Sequence, residues 1–190
     1  RTSLLAMMSS SALSGLVSRN IKFALNLTRN VTNSVSFGGM EKEAFYELAE
    51  QASPFIGKVF KPKILEATVG TMKMKLLFNS SFIGNPAVPC LHGGVIASLI
   101  DHTGGFCAWT TLPSGYRLHT VDLRIDYLRP APCDDIIFDA AVIHKNRRLI
   151  RVDIVCWNYN STNQLAVGRA LFQTYKVGDI RKLESPQSVE

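Results

Sequence analysis

The apolar positions of the chain change period several times, and each change marks an element. Met72, Met74, Leu76 and Phe78 alternate with Lys73 and Lys75, the period of two that a half-buried strand needs. A loop with Gly84, Pro86 and Pro89 follows. From His92 to Trp109 (HGGVIASLIDHTGGFCAW) the sequence is apolar nearly all round and opens on a Gly-Gly pair. A helix without a polar side is predicted to be buried on every side. Gly104-Gly105 either breaks that helix or lets a neighbour approach closely, and Pro113-Ser114-Gly115 makes a turn. Strands dominate beyond it. Val121, Leu123, Ile125 and Tyr127 alternate with Asp122, Arg124 and Asp126 until Arg129-Pro130 ends the run. Further strands are predicted over Ile136 to His144, Leu149 to Trp157 and Leu165 to Tyr175, joined by turns at Lys145-Asn146-Arg147-Arg148 and Asn158 to Asn163. Ahead of all these, Glu41 to Gln51 carries Phe45, Leu48 and Ala49 at helical spacing, with acids in its first turn and Ser53-Pro54 to end it.

A strand, one apolar helix and four strands with short turns predict an α+β domain. The stable arrangement wraps a curved antiparallel meander around the helix, which is the outline of the hotdog fold. A chain of 190 residues has room for one such domain with a tail. Charge divides it further. Residues 1–40 hold Arg1, Arg19, Lys22 and Arg29 and no acid; removing those four from the net charge of +6 leaves +2 for residues 41–190. A mildly basic domain without a concentrated basic face excludes a nucleic-acid partner.

The first forty residues read as an address. At helical spacing Leu13, Leu16, Val17, Ala24 and Leu27 share one face, while Arg19, Lys22, Asn26 and Arg29 lie opposite. A basic, acid-free, Ser-rich amphipathic helix is the pattern of an organellar transit segment. The expected destination is the mitochondrial matrix, ahead of another organelle or the cytoplasm; the alternative is a helix packed on the domain. The scheme is therefore an address over 1–40, a domain over 41–178 and a polar tail over 179–190. No run reaches the ~20 apolar residues of a membrane span. Cys90, Cys107, Cys133 and Cys156 show no CxxC spacing and read as ordinary thiols.

The chemistry narrows by exclusion and then by one segment. No G-x-S-x-G elbow, HExxH zinc motif or phosphate loop occurs. What remains is LHGGVIASLID. Asp101 sits between Ile100 and His102 inside the apolar helix, where burying a carboxylate is costly unless it is paired or put to work. At the helix start Gly93 and Gly94 offer backbone N–H groups at a positive end that can receive a developing oxyanion. Otherwise the pair merely permits a tight turn, and Asp101 is merely structural.

His92-Gly93-Gly94, Asp101 nine positions after the histidine, and the segment VDLRIDYLRP from Val121 to Pro130 together resemble the PaaI-like hotdog acyl-CoA thioesterases, over roughly Lys61 to Tyr175. The resemblance implies hydrolysis of a thioester to a free acid and coenzyme A. Gly93 would polarise the carbonyl, Asp101 would act as nucleophile or general base, and the Thr120 hydroxyl would position it. His92 would shape the helix entry, and Asn85 and Gly94 would lie against the substrate. Alternation alone points Thr120 the same way as Asp122 and Arg124, unless a bulge intervenes. Arg129, Lys145, Arg147, Arg148 and Arg169 are candidates for the coenzyme A phosphates. Arg147-Arg148, at a turn between strands expected near the sheet edge, comes first. No cofactor is called for, because coenzyme A is part of the substrate. Gly93 and Asp101 are eight residues apart, about 12 Å along a helix, so the expected assembly is a homodimer or dimer of dimers with shared sites. The alternatives are a hotdog hydratase or dehydratase, and a non-catalytic acyl-CoA-binding protein.

Overall fold

Each period-two segment becomes a strand, and the computed structural model describes them within residues 37–178, except 52, 54 and 162. The strands are β1 (Lys63–Thr68), β2 (Thr71–Leu76), β3 (Ile83–Asn85), β4 (Val88–Leu91), β5 (Tyr116–Tyr127), β6 (Ile136–Lys145), β7 (Leu149–Asn158) and β8 (Gln164–Lys176). Among the described residues two α-helices accompany them, α1 (Lys42–Gln51) and α2 (Gly93–Trp109). Six strands make one antiparallel sheet in the order β1-β2-β6-β7-β8-β5, and β3 and β4 pair apart as a small hairpin. The address and the tail lie outside the described residues, apart from residues 37–40.

Inward positions of the sheet are apolar and outward ones polar. Met72, Met74 and Leu76 of β2, Ile136 and Phe138 of β6, and Ile150, Val152 and Ile154 of β7 are all buried, while Lys73 and Lys75 stay half-exposed. α2 rests on this apolar face and touches β2, β5, β6, β7 and β8. Small residues let it come close. A Cβ on Gly168 of β8 would stand 2.4 Å from Ile100 Cγ2, and one on Gly104 would stand 3.1 Å from Ile154 Cδ1. Gly104-Gly105 therefore serves close approach, and the helix runs through it to Trp109.

Four expectations need correction. The strands after α2 are not a simple meander, because β5 pairs with β8 at the sheet edge and not with β6. The link after β5 instead runs beside β4, where Leu91 N–H donates to Ala131 O and Cys90 bridges Pro132. The proline-containing loop before α2 is the β3–β4 hairpin. A further strand, β1, precedes β2 through a turn at Gly70, whose φ of 84° suits glycine. Finally, α2 is not buried all round. The sheet covers Val95, Ile96, Leu99, Ile100, Thr103 and Cys107, while Gly94 is exposed and Ala97, Ser98, Asp101 and His102 are half-exposed. One side of the helix is thus left without a sheet over it.

α1 braces the far end of α2. Phe45 is fully buried among Phe37, Phe106 and Trp109, with ring centroids 5.1, 5.6 and 6.0 Å away. Phe37 falls within the segment read as an address, yet it packs in the core. No helix among the described residues is long and apolar enough to cross a membrane.

Candidate active site

The start of α2 is set by His92. Its backbone is extended (φ −62°, ψ 133°) and its Nδ1 accepts from Gly94 N–H at 2.9 Å, an N-cap made by an imidazole. This cap engages the Gly94 N–H expected to face substrate. The Gly93 N–H has no partner among the described residues and stands at the positive helix end. Tyr127, from the end of β5, donates its hydroxyl to Gly93 O at 2.9 Å. Its ring lies 3.5 Å from where a Gly93 Cβ would be. Beside them opens a cavity of about 380 Å³, lined among others by Ile96, Tyr127, Leu128, Arg129 and Leu165.

Two turns along the helix, Asp101 is half-exposed rather than buried. Its Oδ1 accepts from the Thr120 hydroxyl at 2.9 Å. That contact needs Thr120 on the helix side of β5, and a bulge provides it: Thr120 pairs with Phe172, the next pair is Asp122 with Leu171, and Val121 is left between. The helix-facing series thus runs Leu118, Thr120, then Leu123, Ile125, Tyr127. Asp101 and Thr120 face a second cavity of about 260 Å³, lined also by His102, Phe106, Trp109 and Arg117. Gly93 and Asp101 therefore belong to different hollows of the protomer.

His102, the next residue, has its Nε2 2.7 Å from Ala49 O of α1 and its ring 4.8 Å from that of Phe106. Burial holds its pKa below the ordinary histidine value, against smaller upward pushes from the Ala49 carbonyl and Asp101. Burial likewise raises Tyr127 above the usual phenol value.

The remaining candidates separate. Asn85 is exposed in the β3–β4 turn, where its Oδ1 accepts from Ala87 N–H at 2.9 Å, and it lines neither cavity. Arg129 lines the Gly93 cavity and donates to Gln164 O at 2.8 Å. Arg169 is held by both oxygens of Asp153, each at 2.7 Å. Lys145 donates to Thr111 O, and burial lowers its pKa. Arg147 and Arg148 are exposed, and their guanidinium groups have no partner among the described residues. Their turn is tied by Asn146 Oδ1, which accepts from the N–H groups of Arg148 and Leu149. It joins β6 and β7, which are interior strands, not edge strands. Tyr127 and His102 were not singled out from sequence. Tyr127 carried a usable signal, since it ends the inward series of β5.

Comparison with known proteins follows the same outline. A sequence profile described as the thioesterase superfamily matches residues 89–163. The chain is 31% identical over 121 residues to the medium/long-chain acyl-CoA thioesterase YigI of Salmonella typhimurium, covering 55% of this chain and 74% of that protein. The Escherichia coli protein of the same name is 32% identical over 111 residues, covering 50% and 68%. Among solved structures, thioesterase HI1161 of Haemophilus influenzae aligns with a TM-score of 0.65 at 17% identity, over 75% of this chain and 96% of that one. The Escherichia coli PaaI protein aligns with a TM-score of 0.62 at 19% identity, over the same shares. These structural likenesses carry the hotdog fold.

Proposed function

The chain belongs to the thioesterase superfamily, and from that premise we propose that it hydrolyses acyl-CoA thioesters to a free fatty or aryl acid and coenzyme A, with Asp101 as the working carboxylate. The observation that carries the reading is the Thr120–Asp101 hydrogen bond at 2.9 Å. It fixes one carboxylate oxygen and leaves the other for the cavity. That oxygen either takes a proton from water or attacks the carbonyl itself. The carbonyl oxygen, gaining charge, is received by the bare Gly93 N–H at the helix end. Relatives named as acyl-CoA thioesterases support the acyl-CoA substrate.

The site is shared between two protomers. A reacting carbon must lie within ~3.5 Å of its attacking atom while its oxygen meets the N–H, and about 12 Å of helix separates Gly93 from Asp101. Two antiparallel copies of α2 bring Gly93 of one protomer to Asp101 of the partner subunit, giving two equivalent sites. Among the described residues nothing of the sheet covers one side of α2 and β5 ends the sheet, which supports this assembly, as a dimer or dimer of dimers. Arg147 and Arg148, exposed and without a side-chain partner among the described residues, take the coenzyme A phosphates, and residues 1–40 direct the protein to the mitochondrial matrix. No cofactor enters the scheme.

The test is release of free thiol from a graded panel of acyl-CoA esters. Asp101→Asn keeps the shape and the contact to Thr120 but removes the base or nucleophile. Its kcat should fall at least ~10³-fold with little change in KM. A variant retaining a third of wild-type kcat removes Asp101 from the mechanism. Tight acyl-CoA binding without thiol release would identify a non-catalytic binder instead.

A further inference from the structure

His102 combines four facts that its neighbour's chemistry does not explain. It follows the working carboxylate on α2, and it lines the same cavity as Asp101 and Thr120. Its Nε2 lies 2.7 Å from a backbone carbonyl, that of Ala49. Its ring packs against that of Phe106, with centroids 4.8 Å apart and planes tilted by 52°. A carbonyl oxygen can only accept, so Nε2 must carry the hydrogen of that bond. In the neutral ring this leaves Nδ1 as an acceptor, and Nδ1 has no partner among the described residues. Burial keeps the ring neutral near neutral pH. A half-buried bare acceptor beside a carboxylate is a seat for water, which needs two to four polar partners.

We propose that His102 is a positioning residue of the hydrolytic site, its Nδ1 accepting a hydrogen bond from the water that the reaction consumes. This rests on the thioesterase reading above. One water hydrogen points to the free oxygen of Asp101 and the other to His102 Nδ1, which turns a lone pair of the water oxygen toward the carbonyl carbon. The C–O bond forms as the C–S bond breaks. Asp101 takes one proton and passes it to the departing thiolate, while the second hydrogen stays on the oxygen of the new acid. If Asp101 attacks first, the same water enters at the second step. Around the ring, Asp101 faces the cavity from α2, Arg117 and His119 face it from β5, and α1 contributes the Ala49 carbonyl. The packing on α1 and Phe106 fixes the ring, so the acceptor does not have to be ordered at the moment of reaction.

Two substitutions separate the ring's two nitrogens. In His102→Gln the amide nitrogen reaches where Nε2 sits and keeps the bond to Ala49, but nothing accepts at Nδ1. In His102→Asn the side-chain oxygen stands where Nδ1 was, and the tie to α1 is lost. Near neutral pH His102→Gln should keep the wild-type Tm and lose kcat about tenfold, the worth of one neutral hydrogen bond. His102→Asn should lower Tm and keep kcat within about twofold of wild type. Protonation of Nδ1 in acid abolishes the acceptor, so the wild-type kcat profile should carry an acid-side inflection that His102→Gln lacks. Full kcat in His102→Gln, an equal loss in both variants, or identical pH profiles would overturn the proposal. Asp101→Asn in the same assay keeps the readings apart: its inactivity upholds the hydrolase whatever His102 does. Ring ¹⁵N spectra of the wild-type protein decide the matter even if a variant fails to fold. They should show hydrogen on Nε2 and a bare Nδ1, and the opposite tautomer would end the idea.

Discussion

The proposed shared-site arrangement makes a quantitative demand on mixed dimers. Take two single variants, Asp101→Asn and Gly93→Pro. The second deletes the N–H at the first position of α2, where proline is tolerated. The local geometry accepts it. His92, the preceding residue, is already extended at φ −62° and ψ 133°, as a residue before proline must be. The atoms nearest to a Cβ at Gly93 would be those of the Tyr127 ring and hydroxyl, at an ordinary 3.5 Å. Each homodimer has both sites broken and should be nearly inactive. In a mixed dimer one site takes Gly93 from one protomer and Asp101 from the other, both intact, while the second site receives both lesions. Random pairing makes half the dimers mixed, each with one working site of two, so activity should recover to roughly a quarter of wild type by site count. The assay is thiol release from the co-expressed pair, with mixed dimers counted by mass. If both groups served one site within a single chain, every site in the mixture would carry a lesion. No recovery in a preparation shown to contain mixed dimers would refute the reasoning.

Four further outcomes follow from particular contacts. Thr120→Val removes a hydrogen bond to a charged group, worth about 1.5–3 kcal/mol, so kcat should fall about ten- to a hundredfold while Thr120→Ser stays near wild type; equal kcat in all three proteins would separate the hydroxyl from catalysis. Replacing Arg147 and Arg148 with Ala should raise KM for coenzyme A esters more than for short thioesters lacking the nucleotide, whereas Arg169→Ala, which breaks the Asp153 pair, should alter neither. Gly168→Ala would set a Cβ 2.4 Å from Ile100 Cγ2 and should cost about 1–3 kcal/mol, read as a lowered Tm; an unchanged Tm would mean that α2 yields. His102 is held below its ordinary value of 6.5 in the fold, so the unfolded chain takes up its proton at the higher pH. The stability it contributes is full above that value and lost as pH falls through the folded one, so the Tm of wild type should drop relative to His102→Gln as pH falls below the ordinary 6.5.

The sequence was most legible where the signal is local. The apolar run of α2, the glycine pair at its start and the isolated Asp101 needed no knowledge of distant strands. Strand periods likewise located β2, β5, β6, β7 and β8, because inward residues such as Met72, Phe138 and Ile154 must all be apolar. Pairing is a different matter. Nothing in the β5 sequence says that its neighbour is β8, since the choice depends on where the link past Arg129 is carried, and β4 settles that through Leu91 and Cys90. Proline hid the β3–β4 hairpin for a similar reason: a short edge pairing tolerates residues that a central strand excludes. The half-exposure of Asp101 was illegible because hydropathy records what a residue avoids and not which surface covers it.

The bulge in β5 shows how narrow the margin was at the site itself. Val121 is apolar and stands in step with Leu123, Ile125 and Tyr127, so strict alternation counts it as the first inward residue and turns Thr120 outward. In the fold Val121 is the extra residue, 51% exposed, and the inward series changes phase across it. Without the bulge one of two things fails. Either Thr120 faces away and Asp101 loses its hydroxyl, or Leu123, Ile125 and Tyr127 face away, and Gly93 loses the Tyr127 hydroxyl at 2.9 Å. A single inserted residue allows one strand to serve both ends of α2, the carboxylate end and the N–H end. Those ends lie on different cavities of the protomer, and in the proposed assembly they meet across a two-fold. The register that the bulge sets is therefore a condition for both halves of each proposed site.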